Sequence, residues 1–218
     1  MNSSDFERLM RACADLASRY PDGLVFIGGI AVYLHAVNTP QAADLAEFTH
    51  DADLYLSLAD MGDLRDAQTL TPNRRLSKHQ LILDGFEFDV YTERLSSLPV
   101  PYDAVMAHAV GHGELRCACP EHLVVMKIEA YRDRRASTKG AKDAKDLARI
   151  ALVAREQGRF DGSLVAPYLS DEHMRLLAEI ERGPQMVALA RGNAVVAKRL
   201  RAAFAAMRDA VERSGRDG

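Results

Sequence analysis

Two short segments of the chain alternate between apolar and polar residues, and this alternation constrains the fold more than any other feature. Asp51–Leu58 has apolar side chains at every even-numbered position and carries Asp51 and Asp53 at odd ones. Phe86–Tyr91 repeats the pattern, with Asp89 at one of its polar positions. Because successive side chains of a β-strand point to opposite faces, both segments are predicted to be strands with one face in a hydrophobic core. If the strands are neighbours, the three aspartates share the opposite face.

Carboxylates held close together on one face repel each other, and a cluster of this kind is usually stabilised by a cation. A ligand set made only of oxygen atoms selects a hard ion, magnesium before zinc. The pattern therefore predicts a magnesium site formed by Asp51, Asp53 and Asp89. An isolated Asp-x-Asp is more often a solvated strand face, and this alternative stays open for the motif taken alone.

A glycine pair precedes the first of these strands. Gly28-Gly29 separates the apolar run Leu24–Ile27 from Ile30–His35, which has helical composition, so the predicted order is strand, glycine turn, helix. Missing side chains let a backbone approach a ligand closely, and a helix N-terminus favours phosphate. The pair is a candidate phosphate site, although a turn or packing requirement explains most Gly-Gly turns.

The rest of the chain divides near Pro120. Before it, Ser4–Arg19 is predicted to be an amphipathic helix, and Asp84-Gly85 predicts a hairpin between Lys78–Leu83 and Phe86–Tyr91. A second hairpin is predicted from Val105–Val110 to Glu114–Cys119. After it, four helices are predicted: Glu121–Arg135, Ala141–Gln157, Asp171–Glu181 and Gln185–Arg213. The predicted fold class is α/β (α+β): a mixed sheet flanked by helices in residues 1–119, then a helical domain in residues 120–218.

Charged residues interrupt the apolar stripes of two predicted helices. Lys127 falls inside the stripe of its helix, in line with Arg134, and it needs an anion unless its stem snorkels to water. Asp143 and Asp146 extend the stripe of the next helix, so at least one of them needs a cationic partner, which Lys127 or Arg134 could supply. On that same helix, a separate and solvated face is predicted for Lys142, Lys145 and Arg149.

Composition narrows the class of protein. The 218 residues suffice to bury a core without disulfides, and three cysteines in no disulfide framework favour a reducing compartment, so a cytoplasmic protein is predicted. No stretch approaches the length of a membrane helix, and no membrane partner is expected. The net charge of −3 argues against a protein that coats nucleic acid without specificity. A zinc site is disfavoured because no recognised ligand spacing connects His108, His112, Cys117 and Cys119.

Four motifs, in order, resemble the nucleotidyltransferase superfamily, most closely its abortive-infection (AbiEii-type) and type IV toxin branch. The resemblance covers roughly residues 24 to 150. Phe26–Ala31 resembles the family's glycine-pair motif, and Thr49–Leu54 resembles its Thr-x-Asp-x-Asp strand. Lys127–Arg134 matches its lysine, alanine and arginine spacing, and Lys142–Leu147 resembles its Arg-Asp-x-x-Asp-Leu segment. Two departures, Glu47 and Lys142 where arginines are common, concern the nucleotide or acceptor preference rather than the metal site.

The resemblance implies a magnesium-dependent enzyme that moves NMP from an NTP to an acceptor, with two Mg²⁺ ions and a nucleoside triphosphate bound. Asp51 and Asp53 would chelate magnesium, and Asp89 would be the third carboxylate and the catalytic base. The helical domain would contribute to the active-site cleft. By the same resemblance, the residues that bind the nucleotide would be Gly28, Gly29, Lys127, Arg134, Lys142, Asp143 and Asp146.

The acceptor is a separate question. By resemblance to the toxin branch, it would be tRNA or another structured RNA, and an antitoxin protein would be a partner. A run of basic residues is consistent with RNA: Lys127, Arg132, Arg134, Arg135, Lys139, Lys142 and Lys145. Two alternatives stay open: a nucleotidyltransferase that modifies an antibiotic or another small metabolite, and a non-catalytic module of the same fold that binds a nucleotide or a partner.

Overall fold

The computed structural model describes residues 2–94 and 96–216, which form nine α-helices and seven β-strands. The helices are α1 (Ser3–Arg19), α2 (Gly28–Val37), α3 (Leu58–Ala67), α4 (Tyr102–Ala107), α5 (Pro120–Arg134), α6 (Thr138–Glu156), α7 (Asp171–Arg182), α8 (Gln185–Leu189) and α9 (Ala194–Arg216). The strands are β1 (Leu24–Ile27), β2 (Asp51–Leu56), β3 (Leu70–Asn73), β4 (Lys78–Leu83), β5 (Phe86–Thr92), β6 (Val110–His112) and β7 (Leu115–Cys117). Short 3-10 helices span Ala43–Leu45, Arg74–Leu76, Gly162–Leu164 and Ala166–Tyr168.

The strands form one mixed sheet in the order β3-β4-β5-β2-β1-β7-β6. β2 runs parallel to β5 and antiparallel to β1, while β1 runs parallel to β7. Helices flank this sheet, which confirms the predicted mixed α/β class.

The chain forms two compact units. The first comprises Met1–Leu34 and Glu47–Cys119 and contains the sheet, and the second comprises His35–Ala46 and Pro120–Gly218 and contains the helices from α5 onward. Each unit has its own apolar core, with Phe26, Leu54 and Phe88 fully buried in the first and Leu123, Leu147 and Phe204 in the second.

The predicted alternation is present in both strands. Ala52, Leu54 and Leu56 of β2 are buried, as are Phe88 and Val90 of β5. β2 stops at Leu56 rather than Leu58, because the Ser57 hydroxyl accepts a hydrogen bond from the Asp60 N–H and caps α3. This helix and β3 were not predicted.

Tyr55 departs from the alternation, because it lies on the polar face of β2 and is nevertheless buried. Its hydroxyl donates a hydrogen bond of 2.9 Å to the Val100 carbonyl oxygen. The ring of Tyr102 packs edge-on against the ring of Tyr55, with 5.8 Å between the ring centroids. The segment that follows β5 therefore covers one end of this face.

One predicted hairpin is confirmed and the other is wrong in part. Asp84 and Gly85 both have positive φ angles, 52° and 83°, as a type I′ turn between β4 and β5 requires. The second hairpin is shorter than predicted, because residues 102–107 form the helix α4 after Pro101, with Tyr102 and Val105 buried one turn apart. A short apolar run fits a helix or a strand equally well, and here packing selects the helix.

The predicted helices of the second unit correspond to α5, α6 and α7 with ends shifted by at most three residues. The predicted helix Gln185–Arg213 is interrupted, because Arg191 and Gly192 adopt left-handed φ angles of 50° and 78°. Asn193 then accepts hydrogen bonds from the backbone N–H groups that begin α9. In the described part of the chain, no helix combines the length and the apolar character needed to cross a membrane.

Candidate functional site

Three carboxylates lie on adjoining positions of the sheet in the first unit. Asp53 of β2 is directly opposite Asp89 of β5 in a parallel register, and Asp51 lies two residues earlier on the same face of β2. Asp89 is buried, with 8% of its surface exposed, and Asp51 and Asp53 are half-buried. The two strands are neighbours, which was the condition for a shared face, and the pairing puts three acidic side chains on that face.

The glycine pair lies against this carboxylate face. Gly28 has a φ of 69°, and a Cβ atom there would lie 2.2 Å from Oδ2 of Asp53. A Cβ atom on Gly29 would lie 2.7 Å from Oγ1 of Thr49. The missing side chains therefore let Asp53 approach the first turn of α2, where backbone N–H groups without an intrahelical acceptor carry partial positive charge.

Thr49 orients the first aspartate. Its hydroxyl donates a hydrogen bond of 2.8 Å to Oδ1 of Asp51, and Thr49 itself is buried beside Gly29. The χ1 angle of a β-branched residue is restricted and Thr49 is buried, so this bond restricts the Asp51 carboxylate.

Lys78 of β4 contributes a cation that sequence reasoning missed. Its Nζ is in short contact with Oδ2 of Asp89, and only 10% of the Lys78 side chain and 11% of the Asp89 side chain are exposed. The predicted hairpin contained the necessary signal: its register pairs Gln80 with Asp89, and Lys78 lies on the same face as Gln80, two residues earlier.

The chemistry of these donors fits a hard divalent cation. All are carboxylate oxygens on one face, and Oδ1 of Asp89 is buried without a hydrogen-bond partner in residues 2–94 and 96–216. Over the same residues, no three His, Cys, Asp or Glu side chains already converge as a metal ligand set. Binding an ion therefore requires side-chain rearrangement on this face, where Lys78 now holds one oxygen of Asp89.

The second unit holds a buried cluster of ion pairs between α5 and α6. Lys127 Nζ is 2.7 Å from Oδ2 of Asp146 and 3.6 Å from Oδ1 of Asp143. Arg134 binds Asp143 in a bidentate arrangement, with N–O distances of 2.8 and 3.0 Å. This confirms that the acidic residues on the α6 stripe are sheltered and paired with Lys127 and Arg134.

Arg149 belongs to the same cluster, so its predicted solvated position is wrong. It is only 3% exposed, its Nη1 is 2.6 Å from Oδ1 of Asp146, and its Nε donates to the Leu45 carbonyl oxygen. Burial alone would raise the pKa of Asp146, but the nearby charges of Lys127 and Arg149, with a smaller effect from Lys142, hold that pKa below its ordinary value. Asp146 is therefore an ionised, structurally paired carboxylate.

The predicted site residues fall into two groups. Gly28, Gly29, Asp51, Asp53 and Asp89 lie in the first unit. Five others lie in the second unit: Lys127, Arg134, Lys142, Asp143 and Asp146.

Two residues of the disfavoured zinc site, Cys117 and Cys119, lie at the end of β7 and directly before α5. Cys117 and Cys119 are buried and form no disulfide among the described residues, and burial raises the pKa of Cys117, which opposes thiolate formation. Neither cysteine belongs to a metal-binding group among the described residues.

Comparison with known proteins identifies the fold. No protein-family model matches the sequence, and no curated protein matches it. An antigenic nucleotidyltransferase-like protein from Paracoccidioides brasiliensis is similar in structure, with a TM-score of 0.50 and 16% sequence identity, over 88% of this chain and 94% of that one. JHP933 from Helicobacter pylori is similar with a TM-score of 0.51 and 15% identity, over 100% of this chain and 97% of that one. At these identities the likeness concerns architecture, and the chain has a nucleotidyltransferase-like fold.

Proposed function

We propose that this protein is a magnesium-dependent nucleotidyltransferase that moves a nucleoside monophosphate from an NTP to an acceptor. One observation carries the proposal: Asp53 lies opposite Asp89 and shares a face with Asp51, beside the glycine turn that begins α2. A binding module has no need for three mutually repelling carboxylates at this position.

Each residue of the first unit has a role in this proposal. Asp51, Asp53 and Asp89 would hold two Mg²⁺ ions, which supply charge neutralisation for the α-phosphoryl group and the pyrophosphate. Thr49 keeps the Asp51 carboxylate oriented. The backbone N–H groups at the start of α2, next to the glycine pair, would bind phosphate oxygens.

The proposed reaction is an in-line displacement at the α-phosphorus. The acceptor hydroxyl oxygen forms a bond to that phosphorus, and the bond from phosphorus to the bridging oxygen of pyrophosphate breaks. Asp89 accepts the hydroxyl proton through a carboxylate oxygen. The products are the nucleotidylated acceptor and pyrophosphate.

For the second unit, a part in nucleotide binding by Lys127, Arg134, Lys142, Asp143 and Asp146 rests on the resemblance alone. The ion pairs of Lys127, Arg134, Asp143 and Asp146 give these residues a structural role in addition. Nucleotide contacts from this unit stay a prediction.

The proposed acceptor is a structured RNA such as tRNA, with a toxin role, an antitoxin partner and a cytoplasmic location. Its support is the resemblance and the basic run on α5 and α6. Within that run, four residues pair with acidic side chains of the same unit: Lys127, Arg132, Arg134 and Arg135. This pairing reduces the net positive charge that the run presents to RNA.

The test follows the label of each α-phosphate-labelled NTP. The full chain is incubated in Mg²⁺ with total RNA at low salt, with total protein, and with a small-molecule extract. The proposal expects magnesium-dependent transfer of label, and RNA is expected to carry it. Label on a small molecule alone would favour the antibiotic or metabolite alternative.

Two variants control this experiment. Asp53→Asn should abolish transfer while the melting temperature without metal stays close to that of the wild type, because the amide keeps the size and removes the charge that holds Mg²⁺. Asp66→Asn removes an exposed carboxylate from α3 and should transfer normally. Undiminished transfer by Asp53→Asn would contradict the assignment. No label on any acceptor, together with NTP binding, would instead indicate a non-catalytic module.

A further inference from the structure

Lys78 forms an ion pair with Asp89, the third carboxylate of the proposed metal site. Asp89 faces three polar side chains in the sheet: Asp53 on one side, and Gln80 and Lys78 on the other. Lys78 engages Oδ2, while Oδ1 is buried and has no hydrogen-bond partner among the described residues. One oxygen of Asp89 is thus neutralised from within the chain, and the other is available to a ligand.

An ammonium group and a divalent ion cannot share this carboxylate without strong repulsion. Both charges would lie within a few ångströms of each other at a buried position, where the effective dielectric constant is far below that of water. An ion that takes Asp89 as a ligand must therefore displace Lys78 or bind against its charge.

The structure provides a place for the displaced side chain. A cavity of about 450 Å³ adjoins Lys78 and is lined also by Arg65, Arg74 and His79. The two guanidinium groups repel an incoming ammonium, so Lys78 stays on Asp89 while no other cation competes. The Lys78 ammonium thus has two positions, one on the Asp89 carboxylate and one in the cavity, and the position on Asp89 has the lower energy while no other cation competes.

We propose that Lys78 is an intramolecular counter-ion of Asp89 that competes with the divalent cation and so sets the metal concentration that the protein requires. This inference rests on the proposed function, because it takes Asp89 as a metal ligand. Lys78 is a positioning residue in this account, since it acts through Asp89.

Metal affinity, rather than catalysis, tests the inference. The full chain is titrated with Mn²⁺, the free ion is followed by electron paramagnetic resonance, and melting temperatures are measured in Mg²⁺. Lys78→Met keeps the aliphatic stem and removes the charge, so its dissociation constant for Mn²⁺ should be on the order of tenfold lower than that of the wild type. Lys78→Gln, which can still donate a hydrogen bond to Asp89, is the second neutral variant if Lys78→Met does not fold.

Two variants separate displacement from a general charge effect. Lys78→Arg keeps the charge and should bind Mn²⁺ as weakly as the wild type. Arg75→Met removes a neighbouring exposed charge outside the cavity lining and should also leave affinity unchanged. An equal gain in Arg75→Met, or no gain in either neutral Lys78 variant, would overturn the inference.

The inference and the proposed function can fail separately. Tighter Mn²⁺ binding by Lys78→Met in a protein that labels no acceptor would support the counter-ion and contradict the transferase. Magnesium-dependent labelling by the wild type, with Mn²⁺ affinity unchanged in the neutral Lys78 variants, would support the transferase and contradict the counter-ion.

Discussion

Asp146 lies in a cluster whose charges are unequal in number. Lys127, Arg134 and Arg149 supply three positive charges, and Asp143 and Asp146 supply two negative ones. Within this cluster Lys127 contacts both acids, Arg134 contacts Asp143 and Arg149 contacts Asp146. Removing Lys127 therefore leaves each acid with an arginine partner, whereas neutralising Asp146 removes a carboxylate that both Lys127 and Arg149 contact.

The asymmetry predicts which substitution costs more stability. Asp146→Asn should lower the free energy of unfolding by roughly 3–5 kcal/mol, because it breaks two buried ion pairs at once, those with Lys127 and Arg149. Lys127→Met should cost about 1.5–3 kcal/mol, near the value of a charged hydrogen bond, because Asp146 keeps Arg149 and Asp143 keeps Arg134. Urea denaturation of both variants measures the difference. An equal or larger loss in Lys127→Met would show that Lys127 is the principal counter-charge.

Gly28, in the turn between β1 and α2, is subject to two separate structural requirements. Gly28 needs a left-handed backbone, and it also needs empty space where Asp53 approaches. The other left-handed glycines of the described residues meet only the first requirement. Gly113, in the turn between β6 and β7, has a φ of 62°, and a Cβ atom there would meet no described residue within 4 Å apart from its chain neighbours. Comparing substitutions at Gly28 and Gly113 therefore separates the cost of backbone strain from the cost of contact with the Asp53 carboxylate.

Gly28→Ala should destabilise the protein more than Gly113→Ala. The second variant should cost about 1–2 kcal/mol through the left-handed backbone alone. The first adds a methyl group 2.2 Å from Oδ2 of Asp53, and overpacking of this kind should cost roughly 1–3 kcal/mol more. Thermal and urea unfolding of both variants provide the comparison. Equal costs would mean that Asp53 moves aside freely and that the glycine is not required by the carboxylate.

The free energy of unfolding of the whole chain depends on pH, because partly buried histidines bind protons less readily in the folded chain than in the unfolded chain. Burial lowers the pKa of His112 below its ordinary value of 6.5. Burial also lowers the pKa of His79, and the charge of Arg65 adds to this effect. Below pH 6.5 the unfolded chain therefore binds more protons at these positions than the folded chain does.

Stability should consequently fall as the pH decreases through 6.5, because protons then favour the unfolded state. His112→Gln removes one of the groups responsible, so its loss of stability between about pH 7.5 and 5.5 should be smaller than that of the wild type. Chemical denaturation at a series of pH values gives both slopes. Identical slopes would show that His112 titrates alike in the folded and unfolded chain.

Local patterns in the sequence predicted the parts of this protein that depend on the backbone's own periodicity. The alternation in β2 and β5, the Asp84-Gly85 turn and the helices α5 to α7 follow from the repeat of a strand, a turn or a helix along a few residues. The shared face of Asp51 and Asp53 follows in the same way, because the two aspartates are separated by one residue of the same strand.

Tertiary contacts decided what each side chain meets. Arg149 is buried because it reaches the Leu45 carbonyl oxygen, 104 residues away, although its position on α6 suggested a solvated face. Residues 102–107 became a helix because packing chose between two conformations that a short apolar run allows. Lys78 became the partner of Asp89 only once the register of β4 and β5 set them side by side. Periodicity gives the direction of a side chain from its own backbone, whereas its burial and partner depend on elements that folding brings from elsewhere in the chain.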